Sequence, residues 1–294
     1  MTITLKQIRN QILKNIYDVG FVRNPAEEIY QANLRQHFPY LPKLSVADKE
    51  IIEDIQQEGV AIRSLTDLLI PNTKKLFKSA LEIIPDIPDN LKKEGREYVV
   101  HATSEQIMSH PEIFLWGLEE RLLNIVENYL GLPVAYHGAY FRRDIANQVE
   151  HKSRLWHIDV EDRKILKIII YLHEINQDNG PFEYLSKDAT AEAIKSLKYK
   201  HGYIQDETMQ KIISSNNYQS CLGAQGTVIF AATSKIFHRG KLPKSNDRFA
   251  IFYDYTSRSP KMPFYCKSSL ENEHLLTLSD RFSPNQKQCV FWRS

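Results

Sequence analysis

GLPVAYHGAYFRR, residues 131–143, is the stretch on which the fold turns. Its glycine, Gly131, can adopt the left-handed conformation that closes a helix. Residues 134–143 then read as a strand, with valine, tyrosine and phenylalanine suited to a pleated surface. Upstream of this point apolar residues recur at helical spacing. Downstream they cluster in short runs at 134–143, 155–160, 165–173, 227–231 and 249–255, rich in Ile, Val, Tyr and Phe. Helices first and strands afterwards predict an α+β arrangement, with helices buttressing a sheet-on-sheet β core.

In the helical third, Leu5, Ile8, Ile12 and Ile16 share one face after Thr4, a capping residue. Asn24-Pro25-Ala26-Glu27 reads as a cap, a proline at the first helical position and a capping-box partner. Ser45 opens a helix that turns Ile51, Ile52 and Ile55 inward and stops at Gly59. Val60-Ala61-Ile62 predicts a short strand. A helix from Asn72 carries Leu76, Phe77, Ala80 and Leu81. A long one from Ser109-His110-Pro111-Glu112 carries Ile113, Trp116, Leu122 and Ile125 as far as Gly131. Among the strands, 188–198 predicts a helix and 208–214 a shorter one. Asn179-Gly180 predicts a turn, since both residues tolerate positive φ. There is no internal repeat and no low-complexity tract.

The chain has 294 residues and is 42% apolar, enough for a sizeable core. The formal net charge is +2, and like charges form no block. This argues against nucleic acid or a membrane surface as partner. The basic stretch 195–200 is interrupted by Leu197 and Tyr199 and reads as a solvated helix end. The three cysteines, Cys221, Cys266 and Cys289, are odd in number and form no Cys-x-x-Cys pair. That speaks against a disulfide framework or structural zinc and for a reducing compartment. The N-terminus has no continuous apolar run, and no stretch is long and apolar enough to cross a bilayer. The expectation is a soluble, cytoplasmic protein.

His157-Ile158-Asp159 carries the chemistry. On an extended segment, residues i and i+2 point to the same side, so an imidazole and a carboxylate converge while Trp156 and Ile158 pack the other way. His238, past the run 226–231, can supply a second imidazole. Two histidines and one carboxylate bind a non-haem Fe(II) on one face and leave the other open. His-x-Asp alone is a weak signal, because a buried histidine bonded to a nearby carboxylate is common. Ten residues after His238 comes Arg248, which by alternation shares a face with Ala250, Phe252 and Asp254. A buried guanidinium needs an anion. Its fork matches a carboxylate, either that of a small diacid or that of Asp254 in an ion pair.

Five blocks together resemble the phytanoyl-CoA dioxygenase family. They are Trp156-His157-Ile158-Asp159, Asn179-Gly180-Pro181-Phe182, Gly226-Thr227-Val228-Ile229-Phe230, Phe237-His238-Arg239-Gly240 and Arg248, in that order and spacing. Glu58-Gly59-Val60-Ala61-Ile62 resembles the family's first short strand. The resemblance covers residues 48–258 and leaves a helical N-terminal extension, 1–47, and a C-terminal tail, 259–294, within one catalytic domain. It implies a double-stranded β-helix (jelly-roll, cupin-like) core with flanking and N-terminal helices. It also implies Fe(II) on His157, Asp159 and His238, with 2-oxoglutarate and O2 as co-substrates and Arg248 on the far carboxylate of 2-oxoglutarate. Lys167, Tyr140 and Arg142 lie on strands that could face the pocket and contact the co-substrate. The family's Pro-Gly-Ser-His segment is replaced here by Glu183-Tyr184-Leu185-Ser186-Lys187-Asp188.

Because Asp159 keeps the carboxylate that halogenating relatives lose, the resemblance implies C–H hydroxylation. The substrate class expected is a freely diffusing metabolite, such as a cylindrospermopsin-type guanidine alkaloid in late-stage tailoring. Three other readings compete, one of them an oxygenase that modifies proteins or nucleic acid, against which the lack of a basic groove or appended reader domain counts. A catalytically inert jelly roll could bind a small ligand, or His157 and His238 could serve a zinc hydrolase, which would leave Arg248 without a role.

Overall fold

A computed structural model describes residues 9–10, 13, 20–88 and 97–293. The helical face of Leu5, Ile8, Ile12 and Ile16 lies outside the described residues. The strands are β1 (Val60–Ser64), β2 (Val99–His101), β3 (Val134–Asp144), β4 (Leu166–Tyr171), β5 (Phe182–Tyr184), β6 (Gln219–Cys221), β7 (Thr227–Ala231), β8 (His238–Gly240) and β9 (Arg248–Ser257). They form two antiparallel sheets. One has six strands in the order β1-β7-β4-β9-β3-β2, and the other has three in the order β6-β5-β8.

The large sheet is covered on both faces. On β4, Ile168 and Ile170 join a core shared with the helices, including Ile55, Leu76, Leu122 and Val126. Ile169 and Tyr171 face the other way, onto Phe182 and Cys221 of the small sheet. A strand buried on both faces reads as a continuous apolar run, which is why β4 is LKIIIY. Each such side chain contributes about 1.5–3 kcal/mol. Lys167 is the one charge on that strand, and by alternation it points between the sheets.

Helix Val46–Glu58 has the expected ends: Ser45 accepts a hydrogen bond from Asp48 N–H, and Gly59 closes it at φ 85°. Helix Thr73–Ile83 also stands where expected. C-terminal helices Asn272–Leu278 and Pro284–Val290 send Leu275, Leu278, Cys289 and Val290 into the same core as the sheet. Among the described residues no helix is long and apolar enough to cross a membrane.

Five expectations need correction. Asn24 does not cap a helix, because helix Gly20–His37 runs through Pro25. A proline inside a helix forfeits a hydrogen bond and crowds the preceding turn, and Arg163 pins the helix beyond it. Arg163 pairs with Glu27 at 2.7 Å and stacks 4.5 Å over the Tyr30 ring. The long helix to Gly131 is two, Glu112–Trp116 and Glu120–Leu130. Gly117 sits at the break, where a β-carbon would stand 2.5 Å from the Tyr136 hydroxyl, and its carbonyl accepts from Tyr255 Oη at 2.7 Å.

Residues 155–160 do not form a continuous strand. Only Trp156 and His157 make isolated bridges, to Ile204 and His238. The remaining donors leave the ladder: Ile158 N–H donates to Tyr199 Oη and Asp159 N–H to the Thr233 carbonyl. The short helix expected at 208–214 is Asp206–Gln210, followed by turns in which Ile212 and Ile213 both donate to the Met209 carbonyl. At Asn179-Gly180 only Gly180 has positive φ, 69°. Asn179 instead bridges Pro243 and accepts from Asn176 N–H with its side chain.

Candidate metal centre

Two distant segments bring the metal-type ligands together. His238 opens β8. His157 lies beside it through a reciprocal pair of backbone hydrogen bonds of 3.0 and 3.1 Å. Their rings are 4.2 Å apart. Asp159 closes the group, with Oδ1 3.7 Å from His157 Nε2 and Oδ2 3.8 Å from His238 Nε2. One donor atom from each residue lies within 4.8 Å of the others. Two metal–ligand bonds of about 2.1 Å span at most about 4.2 Å, so the two carboxylate–imidazole gaps suit a shared ion.

The hydrogen bonds around the imidazoles support the same fit. His157 Nδ1 is 2.8 Å from the Leu155 carbonyl, and His238 Nδ1 is 3.2 Å from that of Ile236. A carbonyl can only accept, so each Nδ1 carries the proton and each Nε2 turns a lone pair towards Asp159. Burial lowers the pKa of both, that of His238 to about 3 with His157 adding to the effect. Both rings are therefore neutral, the form that ligates. Asp159 Oδ2 is buried, and its partner is the ammonium of Lys167, 2.8 Å away. Burial opposes ionisation of Asp159, but Lys167 more than offsets it, and the carboxyl titrates far below its usual range.

The two imidazoles open onto a cavity of about 180 Å³ lined also by Tyr140, Arg142, Lys167, Phe252, Asp254 and Arg248. All four residues singled out as co-substrate contacts thus lie on one cavity. Tyr140 donates its hydroxyl to the Lys267 carbonyl at 2.9 Å. Arg142 lies 4.8 Å over the Phe252 ring and pairs with Asp144. Lys167 lies between Asp159 and Asp254.

Arg248 is buried, as alternation predicts, but its partner is Asp144 and not Asp254. Nη2 and Nε reach Asp144 Oδ2 at 2.8 and 3.1 Å, and Nη1 donates to the Gly180 carbonyl. The reason is register. Asp144 stands directly opposite Arg248 across β3 and β9, whereas Asp254 is six residues along β9, about 20 Å away at a strand's rise. Burial resists the charge on Asp144, yet Arg142 and Arg248 hold its pKa down at about 2.

Sequence reasoning missed Asp144, Glu161 and Tyr203. Asp144 was legible, two residues past Arg142 on the same strand face. Glu161, near Asp159, is pushed up to about 7 by burial and by the Asp159 charge. Tyr203 packs on the His157 ring at 5.2 Å; it lies in a turn before a single bridge, and no pattern marks it.

No family model matches the chain, and no curated protein matches it. Solved structures do. HygX from Streptomyces hygroscopicus, with nickel, 2-oxoglutarate and hygromycin B bound, is 13% identical over 73% of this chain and 88% of its own, at a TM-score of 0.48. EctD from S. alaskensis, with 2-oxoglutarate and 5-hydroxyectoine, is 17% identical over 74% and 77%, at 0.48. SnoN, a non-heme alpha ketoglutarate dependent epimerase from nogalamycin biosynthesis, is 9% identical over 72% and 83%, at 0.47.

Proposed function

We propose that the protein is an Fe(II)- and 2-oxoglutarate-dependent oxygenase on a double-stranded β-helix, related to the phytanoyl-CoA dioxygenases. The observation that carries this reading is the largely buried His157–Asp159–His238 cluster, whose two imidazoles turn Nε2 lone pairs towards Asp159 and line one cavity with two guanidinium groups. The alternation of the chain between the sheets supports the β-helix. β3, β4, β7 and β9 lie in the large sheet, and the His157 bridge, β5, β6 and β8 fall on the small one.

The charge around the cavity supports an anionic co-substrate. Arg142, Arg248 and Lys167 stand on it, and a divalent cation on His157, Asp159 and His238 would add to them. Arg248 keeps Asp144 as its fixed partner and offers the remaining edge of its fork to the far carboxylate, with Arg142 and Tyr140 beside it. In this reading Lys167, on the same cavity, serves the near carboxylate. Bound iron supplies the chemistry by which dioxygen and 2-oxoglutarate oxidise a substrate C–H bond. The protein's part is ligation, orientation and exclusion of water. Retention of Asp159 favours hydroxylation, and the compact cavity favours a small metabolite.

The test is anaerobic loading of the full chain with Fe(II), followed by labelled 2-oxoglutarate and air. Bound iron near one equivalent and release of labelled carbon dioxide are expected, both lost in Asp159→Ala and His238→Ala. Equal iron and equal release in those variants would overturn the assignment.

A further inference from the structure

Lys167 is anomalous in its strand. Every other residue of β4 is apolar or tyrosine, and Lys167 alone carries charge into the space between the sheets. Its ammonium is 2.8 Å from Asp159 Oδ2 and 3.9 Å from Asp254 Oδ2. Lys167 and Asp254 are also direct cross-strand partners of β4 and β9. Asp254 has a second oxygen, Oδ1, that is buried without a hydrogen bond. One ammonium thus has two carboxylates within a short rotation of its side chain, and the better-engaged one belongs to the metal-type cluster.

Resting on the reading above, we propose that Lys167 is a cation gate on the metal centre. It holds Asp159 while the centre lacks an ion and moves onto Asp254 when a divalent ion takes the carboxylate. A cation cannot share Asp159 with a divalent ion without mutual repulsion. The unfilled Oδ1 of Asp254 gives the ammonium a place to go, directly across the same ladder. The displaced charge stays beside the ion. It weakens metal binding on its own account and strengthens binding of an anion next to the metal. The gate therefore couples the two, so that the centre fills well only when an anionic second ligand is present.

The experiment is an anaerobic titration of the metal-free full chain with Co(II), followed by visible absorbance, alone and with 2-oxoglutarate or succinate. In the wild type, 2-oxoglutarate is expected to tighten Co(II) binding by tenfold or more, within the usual range of coupling between sites, about 5–150-fold. Lys167→Met is expected to bind Co(II) alone about tenfold more tightly and to lose most of that coupling, whereas Lys167→Arg keeps it. Asp254→Asn, which leaves the ammonium on Asp159, is expected to bind Co(II) alone more weakly. That loss should disappear when Asp254→Asn is made in the Lys167→Met background, because the two act through one side chain.

If Lys167→Met binds Co(II) no more tightly and keeps the full coupling, the gate is wrong while the metal centre stands. If Lys167→Met does not fold, Asp254→Asn binding Co(II) as tightly as the wild type overturns the gate. If Asp159→Ala holds Co(II) as well as the wild type, the metal centre itself falls, and the gate with it.

Discussion

Asp144 and Arg248 face each other across β3 and β9, 2.8 Å apart and both buried, and Arg142 leans on the same carboxylate. One anion therefore serves two guanidinium groups at the inner wall of the cavity. Breaking a buried pair leaves an uncompensated charge and costs about 3–5 kcal/mol. Asp144→Asn should lower unfolding free energy by about that amount in urea titrations. A loss below about 1 kcal/mol would mean that the two arginines are solvated without it.

The same carboxyl gives an acid-stability signature. Its folded pKa, about 2, lies below the ordinary value of 3.8. A depressed carboxyl contributes stability that is fully present above the unfolded value and is lost as pH falls through the folded one. The shift corresponds to about 2 kcal/mol. Wild-type stability should drop by this amount between about pH 4 and pH 2, and Asp144→Asn should lack that portion of the slope.

His137 acts over a different window. It is the extra residue where β3 slips register against β9, it is buried, and its Nε2 bonds Thr256 Oγ1 at 2.8 Å. Burial lowers its pKa from 6.5 to about 3. The unfolded chain therefore binds a proton that the folded one refuses, and stability falls as pH drops from about 6.5 towards 3. Between pH 7 and pH 5 the wild type should lose about 2 kcal/mol more than His137→Gln. Parallel pH profiles for the two would refute this.

Arg239, next to His238, locks the back of the centre. It pairs with Glu183 and Asp206 at 2.9 and 2.8 Å and stacks 4.5 Å over Trp156, the neighbour of His157. Glu183 is buried, so Arg239→Ala leaves its charge to Lys241 and the Ser220 hydroxyl, both on Oε1, with Oε2 stripped of its partner. A loss of about 3–5 kcal/mol is expected, with weaker Co(II) binding because both histidine segments loosen. Arg239→Lys should recover only part, since an ammonium lacks the planar fork. Full recovery by lysine would show that charge alone matters.

The legible part of the architecture follows from burial. β4 and β7 are apolar on both faces, so their composition marks them without help from periodicity. His157 and Asp159 were readable as a pair because extended backbone sets i and i+2 on one side, even though the segment makes bridges and no full strand. What sequence could not supply was register. The Arg248–Asp144 pair spans 104 residues, and only the β3–β9 ladder decides that Asp144, not Asp254, lies within reach. The helix break at Gly117 was hidden for the same reason: it answers to Tyr136 and Tyr253, side chains of those two strands. The two carboxylates of Lys167 also come from separate segments.

Gly180 joins backbone conformation to the cavity. At φ 69° it holds its carbonyl where Arg248 Nη1 donates to it. A β-carbon there would stand 2.6 Å from the Lys241 carbonyl and 2.8 Å from Pro243. Gly180→Ala therefore meets both a disfavoured φ and a backbone clash, and a loss above about 1 kcal/mol is expected. The displaced carbonyl frees Arg248 to shift along Asp144, so 2-oxoglutarate affinity should fall several-fold while Co(II) affinity, set by His157, Asp159 and His238, stays within about twofold. Isothermal titration of the Co(II)-loaded variant separates the two. Equal loss of both affinities would mean that Gly180 supports the whole cavity and not the guanidinium in particular.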